Sequence, residues 1–496
     1  MFAGITLSLP ARAGRRIRAV VAACSVAVVG LGAQAATARA ATPDFFGVNA
    51  QNVFRAPQTQ WDGELAAMAA GGLQVVRRDA SWDSVEPNPP GPAGQHTYRW
   101  SDLDAQVAAM ARHRLRYYPI LDYSAPWAAQ VPGDPFAPPV RVSDYVAWAQ
   151  ALAQRYGNGG TFWQAHPELT PLPVTAYEIW NEENTKQFWH PQTNAPEAYA
   201  DLYLATRAGL RQVDPTARVV IGGLALANTD VTDESQFIRR MYAHRPDLQG
   251  NVDAVGFHPY APDVQGVEAK LRQFRQTLDS VGATGVPIEI TEIGWPTPQF
   301  SETSRAANLQ QLAQDLPRSD CNVERFIPHT WVEADSSNGS FGIMGDDGVT
   351  PRPSGAAYLG AARQLIGLDP GAPSGKLRIC YPDGTSAAPA RSAHPHGPTL
   401  QLRVFTERRH RSRLTVVARC PRGCRLQVEL LKPNRPAGAA AIRLDHRATR
   451  FTSKRQKLHL HISRRTRMKA GRMRLSVLAT DRAGGRTSRT RTIRVR

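Results

Sequence analysis

Hydrophobic and polar positions follow two different periods in the first three quarters of the chain. Between residues 44 and about 367, short β-rich runs alternate with segments of helical period. In one such segment, the apolar residues recur at intervals of three or four positions, at Tyr145, Trp148, Leu152 and Tyr156. The β-rich runs begin about 40 residues apart and cover residues 45–49, 73–78, 116–121, 174–180, 218–223, 252–257, 286–291 and 325–330.

This alternation predicts parallel β-α units. Eight units in about 320 residues predict an α/β fold of the (β/α)₈ type, a TIM barrel, in the segment 44–367. A doubly wound open sheet is the structural alternative. The barrel is favoured because no glycine-rich phosphate loop follows the first run.

The period changes again after the barrel segment. Residues 368–398 are rich in Pro, Gly, Ala and Ser, which indicates a linker. Residues 399–496 contain short alternating runs without a helical period, at 400–405, 414–418, 426–431, 457–462, 474–479 and 492–495. This pattern predicts a small all-β sandwich domain.

Residues 1–40 have the pattern of an export signal. Four arginines precede an apolar run over residues 19–33, and small residues at 33–35 and 38–40 offer two cleavage sites. A twin-arginine signal at Arg15-Arg16 and a lipobox ending at Cys24 are alternatives. The apolar run is shorter than the roughly 20 residues of a membrane span. We therefore expect a secreted protein without a transmembrane segment, with cell-surface association as a variant of this expectation.

Charge is distributed unevenly along a chain whose composition excludes collagen-like, coiled-coil and wholly disordered classes. Residues 401–496 hold 28 basic and 4 acidic residues, a net charge of +24. Residues 1–400 hold 32 basic and 38 acidic residues. Such a basic domain is either a solvated face or a surface for polyanions. In an exported protein the partners would be an acidic polysaccharide, a cell-wall polymer or an anionic membrane surface. No motif for specific nucleic-acid recognition is present.

Loss of the signal would leave four cysteines, and an even number in an exported chain predicts disulfides. Cys420 and Cys424 can close a small loop around the turn at residues 421–423, with half of a zinc site as the alternative reading. A bond between Cys321 and Cys380 is possible, and the sequence leaves the pairing open.

Two acidic motifs stand at predicted strand ends. Residues 177–184 (Tyr-Glu-Ile-Trp-Asn-Glu-Glu-Asn) end the fourth strand, and residues 288–296 (Ile-Glu-Ile-Thr-Glu-Ile-Gly-Trp-Pro) end the seventh. A barrel collects the carboxyl ends of its strands on one face, so Glu182 and Glu292 should face each other although 110 residues separate them. Two carboxylates flanking a bond are the groups that glycoside hydrolysis requires, and this chemistry needs neither a cofactor nor a metal.

The order of the motifs resembles that of clan A glycoside hydrolases, most closely the family 39-like and family 5-like retaining β-glycosidases. The matching residues are Arg77 in strand 2, Asn181-Glu182 after strand 4, His258-Pro259-Tyr260 in strand 6, Glu292 after strand 7 and Trp331 after strand 8, and the resemblance covers about residues 44–367. It implies that Glu182 is the acid/base and Glu292 the nucleophile. One departure is Glu183, where the family usually has proline.

The same resemblance implies a set of substrate-binding residues: Arg77, Asn181, His258, Tyr260, Trp331 and Trp127. We expect Arg77 and Tyr260 to contact Glu292, Asn181 to contact a sugar 2-hydroxyl, and the two tryptophans to stack on sugar rings. The function expected is an exported retaining hydrolase of β-linked polysaccharides or oligosaccharides. A non-catalytic carbohydrate-binding or cell-wall-associated protein on the same scaffold is the alternative. The sugar and the choice between endo and exo action are left open.

Overall fold

The structure is a computed structural model that describes residues 41–226, 233–333, 339–366 and 377–383 in full. Between residues 401 and 493 it describes the backbone of seven strands. The predicted export signal, most of the predicted linker and the pair Cys420–Cys424 lie outside the described residues.

Eight parallel strands form one sheet in chain order. A parallel bridge between Phe46 and Phe326 joins the first strand to the last. This ring confirms the predicted (β/α)₈ barrel. The strands are β1 Gly47–Asn49, β2 Val75–Asp79, β3 Arg116–Leu121, β4 Ala176–Ile179, β5 Arg218–Ala225, β6 Ala254–His258, β7 Ile288–Ile290 and β8 Val323–Phe326.

Helices fill the intervals between the strands. The predicted helical period around Trp148 lies in a helix that ends where the Gly157 N–H donates to the Ala153 carbonyl at 2.9 Å. The α-helices are α1 Gln58–Ala70, α2 Trp82–Val85, α3 Ser101–Arg112, α4 Val142–Tyr156, α5 Thr161–Ala165, α6 Ala195–Val213, α7 Glu234–His244, α8 Val264–Ser280, α9 Glu302–Asp315 and α10 Pro353–Leu365. Among the described residues, no helix combines the length and hydropathy needed to cross a membrane.

The barrel has two buried layers because successive side chains of a strand face opposite sides. The larger layer lies between strands and helices, and a small inner cluster contains Val75, Tyr118, Ala176, Val220 and Ala254. Glu289 is fully buried at this inner level, where its Oε2 accepts from the Tyr118 hydroxyl at 2.8 Å and from Arg325 Nε at 2.9 Å. It therefore contributes to the barrel interior below the site.

A disulfide ties the segment 377–383 to the barrel. Cys321 and Cys380 are both buried and bonded to each other, a pairing that the sequence left open. Next to it, the Asp320 carboxylate accepts the backbone N–H groups of Ile379, Cys380 and Tyr381 at 3.0, 2.7 and 3.3 Å.

The C-terminal strands form two antiparallel sheets, as a sandwich requires. One sheet contains strands 456–461, 413–419 and 401–406 in that order, and the other contains strands 442–448, 425–432, 473–480 and 486–493 in that order. The strand Ile442–Ala448 was not predicted, because its charged residues interrupt the apolar alternation. The seven strands are β9 Gln401–Thr406, β10 Arg413–Arg419, β11 Arg425–Lys432, β12 Ile442–Ala448, β13 Gln456–His461, β14 Met473–Thr480 and β15 Arg486–Ile493.

Candidate active site

The carboxyl ends of the barrel strands bring together residues that lie far apart in the sequence. Arg77 stands on β2, Glu182 follows β4, His258 ends β6, and Glu292 follows β7. Their side chains are connected by hydrogen bonds and ion pairs. This is the end of the barrel at which the sequence predicted the site.

Glu292 is surrounded by donors on both of its oxygens. Oε1 accepts from Arg77 Nη1 at 2.8 Å and from Asn49 Nδ2 at 3.2 Å. Oε2 accepts from the Tyr260 hydroxyl at 3.2 Å and lies 3.7 Å from His329 Nδ1. The carboxylate thus has a fixed orientation, and its side chain is 15% exposed.

These neighbours favour the ionised form of Glu292. Burial by itself would raise the pKa of this carboxyl group, but Coulombic interactions with His258, His329 and Arg77 lower it more strongly. The net result is a pKa of Glu292 well below its usual range. Arg77 keeps its charge: burial alone would lower its pKa, but Glu178 and Glu292 raise it well above the ordinary value.

Glu182 is held at a bend just beyond β4. Its φ of 50° lies in the left-handed region, and its backbone N–H donates to the Gly223 carbonyl at 3.1 Å. The side-chain Oε1 lies 2.8 Å from His258 Nδ1, and the other ring nitrogen of that histidine lies 3.1 Å from the Thr291 hydroxyl. His258 therefore connects the loop of Glu182 with the end of β7.

The two carboxyl groups face each other at close range. Glu182, His258 and Glu292 each offer an oxygen or nitrogen atom within 4.8 Å of the others. Retaining glycosidases hold their carboxyl groups about 5–5.5 Å apart, whereas inverting enzymes hold them about 6.5–9.5 Å apart. An oxygen of Glu182 and an oxygen of Glu292 thus lie closer to the separation of retaining enzymes than to that of inverting enzymes.

A buried network below the carboxylates orients Arg77. Its Nε and Nη2 donate to the two oxygens of Glu178 at 2.7 and 3.0 Å, and Nη2 also donates to Asn181 Oδ1 at 2.7 Å. Glu178 is fully buried. The Asn181 oxygen is thus occupied by Arg77, and its amide group also hydrogen-bonds to the Tyr123 hydroxyl.

Two of the residues predicted to contact substrate are fully buried. Trp331 is fully buried and its Nε1 donates to the Gly348 carbonyl at 3.0 Å, so it has no free face on which a sugar could stack. The reason is that β8 ends at Phe326, and strand alternation no longer applies five residues later. His258 is also fully buried, so it contacts Glu182 instead of an exposed surface. Trp127 is half-buried and packs edge-on against Trp82.

Several residues at the site were not predicted from the sequence. Asn49 at the end of β1 contacts Glu292, and His329, which is 31% exposed, lies 3.7 Å from the same carboxylate. Gln51, just after β1, donates to Asp79 at the end of β2, and Asp122 follows β3 with its carboxyl group next to that of Asp79. Burial and the nearby Asp79 raise the pKa of Asp122 well above its usual value. No local motif marks any of these residues.

The site contains ligand types that a metal would accept, in Glu182, His258 and Glu292. Arg77, however, already places a permanent positive charge 2.8 Å from Glu292. A cation at this point would be repelled by that guanidinium. The other grouping, around Cys321 and Cys380, offers no thiolate because both sulfurs form the disulfide.

The fold and the site define a (β/α)₈ barrel with two opposed carboxylates at the carboxyl ends of its strands. The chain is similar to the solved structure of a GH39 enzyme from Xanthomonas axonopodis pv. citri, with 16% identity, coverage of 86% of this chain and 94% of that chain, and a TM-score of 0.51. It is also similar to a monomeric beta-xylosidase from Caulobacter crescentus CB15, with 16% identity, coverage of 86% of this chain and 95% of that chain, and a TM-score of 0.50. A glucosidase from Croceicoccus marinus is similar at 14% identity, with 86% and 96% coverage and a TM-score of 0.50.

These similarities confirm the barrel fold. No protein-family model matches the sequence, and neither does any curated protein.

Proposed function

We propose that this protein is a retaining glycoside hydrolase that acts on a β-linked oligosaccharide or polysaccharide. The observation that carries this proposal is the pair Glu182 and Glu292, which lie within 4.8 Å of each other in unlike surroundings. Two carboxyl groups with different environments can take the roles of acid and nucleophile. The neighbours named as a beta-xylosidase and a glucosidase support this class of substrate.

In the first step, Glu292 attacks the anomeric carbon. Arg77 and Asn49 hold its Oε1, which leaves Oε2 as the attacking atom. As the new C–O bond forms, the glycosidic C–O bond breaks and Glu182 transfers its proton to the leaving oxygen. The products are a glycosyl ester on Glu292 and a free alcohol.

In the second step, Glu182 removes a proton from water, and the resulting oxygen nucleophile attacks the same carbon from the opposite side. The ester bond to Glu292 breaks and the carboxylate returns. Two inversions give net retention of configuration. His258 holds Glu182 in place during both proton transfers.

Polar groups on the β1–β4 side of the pocket provide contacts for sugar hydroxyls. Asn181 lies at this end of the barrel beside Arg77, and Asp79 presents a partly exposed carboxyl group next to Gln51. Asp122 is almost fully buried behind them. A hydrogen bond from Asn181 to the 2-hydroxyl would strengthen as positive charge develops on the sugar ring.

The proposal is tested with purified protein and a panel of aryl β-glycosides and β-linked polysaccharides. Glu182→Gln and Glu292→Gln should each abolish hydrolysis of a phenyl glycoside while the far-ultraviolet spectrum stays unchanged. NMR of the first product formed should show the β-anomer. Activity that survives both substitutions would contradict the assignment and leave the non-catalytic carbohydrate-binding alternative, and an α-anomer would contradict retention.

We further propose that the protein is exported and that residues 399–496 hold it on an acidic polysaccharide or cell-wall polymer. The net charge of +24 on residues 401–496 supports this interaction. Deleting residues 399–496 should spare hydrolysis of small substrates but remove salt-sensitive retention on immobilised polygalacturonate. Neutral xylan is the control. Unchanged retention after the deletion would refute a role for this domain.

A further inference from the structure

Glu183, the residue after the proposed acid/base, occupies an unusual environment. It is fully buried, and among the described residues no charged side chain donates a hydrogen bond to either of its carboxyl oxygens. A buried carboxylate without donors is unfavourable, since it has lost its hydration and gained nothing in return. The neighbouring hydrogen-bond donors and acceptors therefore determine whether the Glu183 carboxyl group is more stable protonated or ionised.

The hydroxyl of Tyr199 on α6 lies next to the Glu183 carboxyl group. This hydroxyl has a single hydrogen, which it donates to the Ile179 carbonyl at 2.6 Å, and it accepts the Gly222 N–H at 2.8 Å. Toward Glu183 the phenol oxygen can therefore only accept a hydrogen bond. A protonated carboxyl group can supply that hydrogen, whereas a carboxylate cannot. Burial also raises the pKa of Glu183 well above its usual value.

Two glycines of β5 provide the space for Glu183 and for the histidine behind Glu182. A Cβ atom at Gly222 would lie 2.4 Å from Glu183 Oε2, and one at Gly223 would lie 2.0 Å from His258 Nε2. The pairing of β5 with β6 shifts register between Ile221 and Leu224, around these glycines. The irregularity of β5 thus accommodates both side chains that support the acid/base loop.

The backbone of Glu182 is held from the same strand. Its N–H donates to the Gly223 carbonyl, and its φ of 50° reverses the direction of the chain before Glu183 enters the buried space. Displacing Glu183 would therefore move the residue before it. An ionised Glu183 would also place a second negative charge next to Glu182 and near Glu178.

We propose that Glu183 is a positioning residue that, as an uncharged buried acid seated on Gly222, fixes the loop of the acid/base Glu182. This inference rests on the proposed glycosidase function. It concerns a residue that does not touch substrate. Its effect on catalysis therefore has to pass through proton transfer by Glu182.

The kinetic test compares two aryl glycosides whose cleavage depends to different degrees on protonation of the leaving group by a general acid. A 2,4-dinitrophenyl leaving group departs without protonation, whereas a phenyl leaving group depends on it. Glu183→Ala should lower kcat/KM on the phenyl glycoside at least about tenfold more than on the dinitrophenyl glycoside. Glu182→Gln is the positive control for this pattern. Glu183→Gln, which keeps the shape without a charge, should restore most of the activity and leave the pH profile unchanged.

Equal losses on the two substrates, or a Gln variant as impaired as the Ala variant, would overturn the inference. If the wild type hydrolyses no glycoside and Glu182→Gln changes nothing, the proposed function fails instead.

The protonation state is tested without activity, by urea unfolding of the wild type and Glu183→Gln. A carboxyl group with a raised folded pKa contributes stability that is full below its unfolded pKa of about 4.3 and is lost as the pH rises toward the folded value. The unfolding constant of the wild type relative to Glu183→Gln should therefore increase up to about tenfold per pH unit between pH 5 and 7. A pH-independent ratio would show that Glu183 ionises normally in the folded protein, and the inference would be wrong.

Discussion

Arg77 links three side chains of the site, and replacing it tests the buried network below the carboxylates. Arg77→Met removes donors from both oxygens of Glu178, from Asn181 and from one oxygen of Glu292. Glu178 is fully buried, so water cannot replace the lost donors. Breaking a buried ion pair on one side destabilises by about 3–5 kcal/mol.

A double substitution separates the destabilisation that comes from the unpaired Glu178 carboxylate from a simple packing effect of Arg77→Met. Glu178→Leu in the Arg77→Met background removes the carboxylate that the first change leaves unpaired. Apolar replacement of both members of a buried pair is often close to neutral. We therefore expect the double variant to be more stable than Arg77→Met alone, with a coupling energy of at least about 2 kcal/mol.

Tryptophan fluorescence during urea unfolding measures this coupling for the barrel, because all ten tryptophans of the chain precede residue 332. The four proteins of the cycle are compared at pH 7, and equal slopes against urea concentration show that the same surface unfolds in each. If the two single changes add to within about 0.5 kcal/mol in the double variant, the reasoning is refuted. Arg77 and Glu178 would then act independently.

Three further outcomes are expected. Because the pKa of Glu292 is lowered in the folded protein, its ionisation contributes fully to stability above about pH 4.3, and this contribution declines as the pH falls. In urea unfolding, the difference in unfolding free energy between wild type and Glu292→Gln should therefore narrow by about 1 kcal/mol from pH 6 to 3.5. A constant difference would contradict the lowered pKa. Cys321 and Cys380 lie 59 residues apart, so their replacement by serine should destabilise the barrel by about 4 kcal/mol in calorimetry, and an unchanged melting temperature would argue against the bond. His329→Ala should move the acid limb of the pH profile of kcat/KM to higher pH, because Glu292 loses a neighbour that lowers its pKa. Trp331→Phe should lower the stability of the protein and leave KM unchanged, because Trp331 is buried. A raised KM with unchanged stability would show that Trp331 contacts substrate.

Periodicity alone was sufficient to predict the barrel and the position of its two acidic motifs. Eight alternations of strand and helix leave few arrangements, and the carboxyl ends of parallel strands must share one face. Glu182 and Glu292 could be selected because each lies just beyond the end of a strand; β4 ends at Ile179 and β7 ends at Ile290. Strand β8 was placed two residues too late, since the segment after Phe326 is as apolar as the strand itself.

The surroundings of the two carboxylates were decided by the tertiary structure. Asn49 reaches Glu292 from 243 residues away, because only closure of the barrel makes β1 a neighbour of β8. Trp331 is buried and His329 lies beside Glu292 because alternation stops at the end of a strand, where irregular backbone determines the direction of a side chain. Glu183 is buried against Gly222 and next to Tyr199, which come from other segments of the chain. Local sequence therefore determined which groups stand at the strand ends, and the closed barrel determined their partners, exposure and ionisation, since these depend on contacts between distant segments.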